Sequence, residues 1–168
     1  MPNNQKFNYA FIDGQNLYRG TKKLGWELDY KKLRIYLQEK YHVRKAFMFV
    51  GYIKTNESLY EFLRKTGYQL IFKPITITKE GKVKGNVDVD LTVHTLINIV
   101  DYNRAIIISG DGDFYALLQH LISRNKLQNI MLPNKNECSW MLKRFRKYFV
   151  EMNDLQSKLK YKKSASEF

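Results

Sequence analysis

The sequence predicts an α/β fold, a three-layer sandwich with helices on both faces of a mainly parallel central sheet. Three observations carry this. Short apolar runs bounded by turn residues recur along the chain, and amphipathic segments separate them. Connections of that length suit crossover helices between parallel strands. The apolar runs are near-continuous rather than alternating, as in strands buried on both faces.

The elements follow in order. "FNYAFID", Phe7 to Asp13, is a strand that stops at Gly14, and "QNLYRGTKKL" reads as a short helix. "YKKLRIYLQEKY" places Leu33, Tyr36, Leu37 and Tyr41 at helical spacing, with Asp29 as N-cap. "KAFMFVGYI" is the second strand. "ESLYEFLRKTG" is an amphipathic helix closed by Gly67, and "YQLIFKPI" is the third strand. "TITKEGKVKGN" breaks the rhythm: Glu80-Gly81 marks a hairpin turn carrying Lys79, Lys82 and Lys84. From Val87, "VDVDLTVHTLINIV" reads as a helix on its length, despite β-branched residues that also suit strands. "RAIIISG" is the fourth strand of the sheet, "FYALLQHLISRN" the helix after it, and "LQNIMLP" the fifth strand. "CSWMLKRFRKYF" is expected to be helical at first, followed by "VEMNDL".

The chain has 168 residues, enough for one domain with a sizeable core. Residues 1–6 are expected to be a disordered N-terminus, residues 7–155 the domain, and residues 156–168, which include "KLKYKKSASEF", a basic, mobile C-terminal tail. No apolar run approaches the roughly 20 residues that span a bilayer. The polar start "MPNNQK" has no signal-peptide core, and the single cysteine, Cys138, excludes an intramolecular disulfide. A cytoplasmic protein fits both features, without membrane association. A homo-oligomer is left open.

The charge is lopsided: 29 Lys+Arg against 16 Asp+Glu, a net +13. Such an excess suits a polyanionic partner. The eight aspartates are not spread evenly; Asp13, Asp88, Asp90, Asp111 and Asp113 fall in three short motifs. A local acidic site on a basic surface suits a metal-dependent enzyme acting on nucleic acid.

The motifs are "FIDGQN", "KGNVDVD" and "SGDGDF". In the first, Asp13 emerges where the strand ends, Gly14 permits a sharp turn and Asn16 offers an amide. In the second, Asp88 and Asp90 stand at a helix start, where capping and the helix dipole also favour acids. Residues i and i+2 do not share a helix face, so Asp88 is preferred as the member that points into a site. His94 suits a core or solvated position better than a site. In the third, Asp111 stands at a strand end and Asp113 either caps the next helix or faces ions as well, with Ser109 beside them. In open parallel sheets ligands bind beyond the carboxyl ends of the strands, so Asp13 and Asp111 would share one edge. Carboxylates there would hold hard divalent cations such as Mg²⁺ or Mn²⁺. No Cys/His zinc spacing, Ser-His-Asp arrangement, phosphate-binding GxxxxGK loop or GxGxxG competes. Basic and aromatic residues interleave in "YRGTKKLGW" and "LKRFRKYF", which makes Arg144 and Arg146 candidates for substrate binding. Lys84 is the better candidate, because it neighbours the acidic cluster.

"FIDGQNL", "KGNVDVDLTVH" and "SGDGDF", in this order and spacing, resemble the NYN-domain, LabA-like branch of the PIN-like nucleases, over roughly Phe7 to Leu155. The resemblance implies a Rossmann-like sandwich, an aspartate cluster binding Mg²⁺ or Mn²⁺, and hydrolysis of RNA. It assigns Asp13, Asp88, Asp111 and Asp113 as catalytic, metal-binding acids. Asn16 and Ser109 support them. Asp90 falls where relatives vary. The expected activity is a metal-dependent endoribonuclease. The alternatives are a non-catalytic module that binds RNA or protein, and a DNA nuclease.

Overall fold

A computed structural model describes residues 6–164, the Val83 side chain apart. Most of the expected disordered N-terminus therefore lies outside the described residues. The elements run β1 (Asn8–Asp13), α1 (Gly14–Lys23), α2 (Tyr30–Tyr41), β2 (Val43–Gly51), α3 (Glu57–Thr66), β3 (Tyr68–Lys73), β4 (Thr76–Ile77), β5 (Val83–Lys84) and α4 (Asp88–Ile97). Then come β6 (Ala105–Ile108), α5 (Tyr115–Ser123), β7 (Leu127–Leu132), β8 (Phe149–Glu151) and α6 (Gln156–Leu159).

Six strands form one sheet in the order β3-β2-β1-β6-β7-β8, and every pairing in it is parallel. With the small antiparallel β4-β5 hairpin set aside, this is the doubly wound Rossmann order. The chain leaves β1 toward β2 on one side and returns to β6 on the other. The switch point between β1 and β6 opens a crevice at the carboxyl edge of the sheet.

Alternation along the central strands divides the core in two. Tyr9 and Phe11 of β1 and Ile107 of β6 join Leu91 of α4 and Leu117, Leu118 and Leu121 of α5 on one face. Ala10, Ile12, Ile106 and Ile108 join Leu17 of α1, Leu33 and Leu37 of α2 and Leu63 of α3 on the other. Residue i and residue i+1 of a strand point to opposite faces, so an unbroken apolar run is what two covered faces require. Phe11 stacks on Phe47 at 5.4 Å with planes 12° apart. Truncating such a buried ring to Ala costs about 3–5 kcal/mol.

Local chemistry sets the helix ends. Asp29 caps α2 by accepting a hydrogen bond from the Lys32 N–H at 3.0 Å. Gly67 ends α3 at φ 106°, in the left-handed region that glycine enters without strain. The hairpin turns at Gly81, also left-handed, as Glu80-Gly81 foretold.

Two expectations need correction at the carboxyl end. "VEMNDL" contributes β8, an edge strand of three residues paired with β7, and the segment before it is a 3₁₀ helix, Trp140–Tyr148, bent at Phe145. Such a short edge strand has no periodicity of its own to announce it. The expected mobile tail does not begin at residue 156. Gln156–Leu159 is helical, Leu159 is buried against the α1–α3 layer, and the Asp29 and Tyr161 N–H groups donate to Leu159 O and Glu27 O. One apolar anchor among lysines is enough to dock that turn; the expected tail's last residues, 165–168, lie outside the described residues. Among the described residues, no helix is long and apolar enough to cross a membrane.

Candidate active site

Asp13 is the last residue of β1 and Ser109 follows the last residue of β6, so the switch point brings them together. A hydrogen-bond network then fixes the carboxylates. One Asp13 oxygen accepts from the Asn16 N–H at 3.1 Å, and the other accepts from the Ser109 hydroxyl at 3.4 Å. Ser109 Oγ in turn accepts from the Asp111 N–H at 3.1 Å. Asn16 Oδ1 accepts from the Gly110 N–H at 3.0 Å, tying the start of α1 to the loop after β6. Asp111 Oδ1 accepts from the Asp113 N–H at 2.9 Å and so caps the 3₁₀ turn Gly112–Phe114.

The glycines here serve space rather than conformation. Neither Gly14 nor Gly112 has a positive φ. A Cβ on Gly14 would meet Val50 Cγ1 at 2.6 Å and Phe49 O at 3.0 Å; one on Gly112 would meet Ser139 Oγ at 2.4 Å. The chain must pass its neighbours this closely for the acids to converge, which replaces the sharp-turn reading of Gly14.

Asp88 arrives from α4. Asn86 Oδ1 accepts from the Asp88 N–H at 2.8 Å and sets the first turn of that helix. One carboxylate oxygen from each of Asp13, Asp88 and Asp111 lies within 4.8 Å of the others. Asp13 is buried and the other two are half-buried. Asp88 Oδ2 is buried with no hydrogen-bond partner among the described residues.

Three converging anionic groups are costly. Burial pushes the Asp88 carboxyl up to about 6, with Asp111 and Asp13 adding repulsion. Asp13 is also raised, first by burial, against the pull of the Asn16 N–H, with Asp111 adding to the rise. A divalent cation would cancel this repulsion and satisfy the orphaned Asp88 oxygen. Three hard oxygens at this spacing suit a hard divalent cation.

The triad lies in a cleft of about 1070 Å³. Lys84, Asn16 and Asp111 line it, and so do Tyr18, Arg19 and Lys23 from the basic-aromatic stretch on α1. The other expected residues fall outside. Asp113 is exposed beside Asp88 and is not part of the 4.8 Å group. It does not cap α5, which starts with no side-chain cap; the capping carboxylate is Asp111. Asp90 turns away to pair with Lys73 at 3.3 Å. His94 packs edge-on against Phe49 at 5.4 Å. Arg144 donates to the Tyr115 hydroxyl and lies over that ring at 5.5 Å, and Arg146 donates to Lys143 O at 3.2 Å. Neither arginine lines the cleft. Ile53, Asn56, Leu59 and Asn134 do line it and carried no mark in the sequence. The α3 residues read there as one face of an ordinary amphipathic helix.

Three comparisons bear on this arrangement. The NYN domain family matches residues 9–153. The "Low amplitude and bright protein LabA" of Synechococcus elongatus is 20% identical, over 88% of this chain and 84% of its own. A crystal structure of a Vibrio parahaemolyticus protein of unknown function superposes with a TM-score of 0.75 at 22% identity, covering 92% of this chain and 97% of that one. The last shares the fold. The NYN domain is a branch of the PIN-like nuclease superfamily, and with the acidic triad it indicates a nuclease-type hydrolase.

Proposed function

This chain belongs to the NYN domain family, and we propose that it is a metal-dependent endoribonuclease. The observation that carries the reading is the triad itself: carboxylate oxygens of Asp13, Asp88 and Asp111 within 4.8 Å on the floor of an open cleft. These three residues would hold Mg²⁺ or Mn²⁺. Bound there, the ion supplies charge stabilisation at the phosphate and lowers the pKa of water.

The chain's own groups do the rest. Ser109 and Asn16 hold the Asp13 carboxylate in one orientation, and the Asp113 N–H does the same for Asp111. Fixed orientation avoids reorganisation as the reaction proceeds. Lys84, exposed on the cleft wall at the end of the hairpin strand β5, neutralises a phosphate of the bound strand. Asp113, beside Asp88, takes a water-mediated place at the same edge. The single cysteine and the lack of any spanning helix among the described residues suit a cytoplasmic setting.

The test is cleavage of matched RNA and DNA strands with Mg²⁺ or Mn²⁺, with Asp13→Asn as control. Metal-dependent RNA cleavage that the variant lacks is the expected result. Equal cleavage by the variant overturns the site, and preferred cleavage of DNA overturns the substrate. Salt-dependent RNA binding without turnover in either metal makes this chain a binding module instead.

A further inference from the structure

One wall of the cleft differs from the rest. The extended residue Ile53, Asn56 at the end of the 3₁₀ turn Lys54–Asn56, and Leu59 in the first turn of α3 all line the cleft. Ile53 and Leu59 are 43% and 42% exposed. Tyr60 and Leu63 of α3 also line the cleft, and both are buried, which anchors this wall. Ile75 closes the bottom, its Cγ2 so near Gly51 and Gly85 that a Cβ on either would sit at 2.6 or 2.7 Å. The wall is rigid: Tyr60 OH accepts from the Ile53 N–H at 3.0 Å and donates to Gly51 O at 3.3 Å.

Asn56 stands between the two exposed aliphatic side chains. It occupies the N-cap position of α3, yet its side chain makes no capping bond. Its side-chain amide has no hydrogen-bond partner among the described residues, while its backbone N–H donates to Ile53 O at 3.0 Å. An amide that declines the cap has a donor and an acceptor free to face the cleft.

We propose that Ile53, Asn56, Leu59 and Ile75 form a nucleobase subsite, in which one unpaired base of the bound strand lies against the aliphatic wall and Asn56 reads its edge. The proposal rests on the nuclease reading of the cleft and extends it to sequence preference. Flat apolar surface with one paired donor and acceptor is what an unstacked base requires. A phosphate is the poorer occupant. Glu57 places a negative charge in the first turn of α3, and Lys54, the cation of the 3₁₀ turn, is exposed but is not one of the residues that line the cleft. The cations lie elsewhere, at Lys84 and on α1 at Arg19 and Lys23, which gives the cleft separate places for backbone and base.

The experiment measures binding of four homopolymeric RNA strands by fluorescence anisotropy, with Asp13→Asn in the full-length chain to prevent turnover. The second variant adds Asn56→Leu, which keeps side-chain volume and apolar wall but removes the amide. The third adds Asn56→Asp, which keeps the acceptor and removes the donor. Unchanged circular dichroism and thermal midpoints establish that each variant is folded. The expected result is a spread of roughly fivefold or more among the four strands, the scale of one well-formed amide-base pair. Asn56→Leu should collapse that spread while the mean affinity, set by phosphate contacts, stays. Asn56→Asp should reorder it. No binding, equal binding of all four strands by the parent, or an unchanged ranking in both variants overturns the subsite. A parallel cleavage map with Mn²⁺ and intact Asp13 separates the two readings. A ranking that depends on Asn56 without any cleavage keeps the subsite and removes the nuclease. Cleavage with no dependence on Asn56 does the reverse.

Discussion

At the floor of the cleft, Asp13 and Asp111 are held by Asn16, Ser109 and the Asp113 N–H. At its rim, Lys84 has no ion-pair partner among the described residues and Asn56 leaves its amide free. The floor turns its polar groups inward and the rim keeps them outward. Chemistry that depends on carboxylate spacing needs the first arrangement, since a small displacement of a reacting group costs much of the rate. Recognition of a flexible strand needs the second, since its partners must come from the ligand. Substitutions at the floor should therefore act on turnover, and those at the rim on affinity and preference.

The largest effect belongs to the floor. Asp13→Asn or Asp111→Asn should lower metal-dependent cleavage beyond the about 10–100-fold that follows loss of a group that only orients a ligand. Ser109→Ala, which removes such an orienting group, should fall within that range. Single-turnover rates at saturating Mn²⁺ measure both. If Ser109→Ala costs as much as Asp13→Asn, the hydroxyl does more than hold Asp13.

The second prediction concerns pH. The Asp88 carboxyl is raised to about 6 in the fold, above the ordinary 3.8, so the folded chain holds more protons there than the unfolded chain. Its contribution to stability is fully present below pH 3.8 and lost as pH rises through about 6. Above that, the ionised group opposes folding. Asp88→Asn should therefore raise the thermal midpoint of the metal-free protein at pH 7.5, and the two proteins should converge near pH 4. Adding Mn²⁺ at pH 7.5 should stabilise the parent and leave the variant unmoved. A variant less stable than its parent without metal would show that the Asp88 charge is paired after all.

These two effects turn on residues that the sequence disclosed, for a physical reason. Asp13 and Asp111 end apolar runs, and Asp88 opens a helix, so each is fixed by the element beside it. Parallel topology then carries all of them to one edge. Why Gly112 is glycine depends on Ser139, far along the chain, and no local pattern records that. The rim was harder still. Ile53 reads as the end of a strand and Leu59 as one face of a helix until the cleft is seen, whereas the conspicuous Arg144 is occupied with Tyr115. The same holds for β8 and for the docked turn at Leu159, whose partners are distant in sequence.

Gly112→Ala tests the close packing behind the floor. The added methyl would meet Ser139 Oγ at 2.4 Å, an overpacking that costs about 1–3 kcal/mol. Denaturant unfolding should show the loss, with a smaller drop in cleavage than either aspartate variant gives. A rim change should leave stability alone: replacing Lys79, Lys82 and Lys84 by Ala should weaken strand binding and flatten its dependence on log salt by about 0.7 for each phosphate left without its cation. A full slope with all three lysines gone would move the backbone-binding role to α1, at Arg19 and Lys23.

The smallest effect is the sharpest comparison of floor and rim, because it separates two aspartates two residues apart on one helix. Successive residues on a helix turn by about 100°, so Asp88 and Asp90 point to nearly opposite sides. Asp88 joins the triad, while Asp90 pairs with Lys73 at 3.3 Å, both side chains more than a third exposed. Such a pair contributes no more than about 1 kcal/mol. Asp90→Asn should thus leave metal-dependent cleavage nearly unchanged and shift stability only slightly. Lys73 also donates to Asn86 O at 2.6 Å, so the base of the hairpin keeps its tie when Asp90 is neutral. If Asp90→Asn instead matched Asp88→Asn in lost cleavage, the acid set would extend along α4 and the division between floor and rim would fail at that helix.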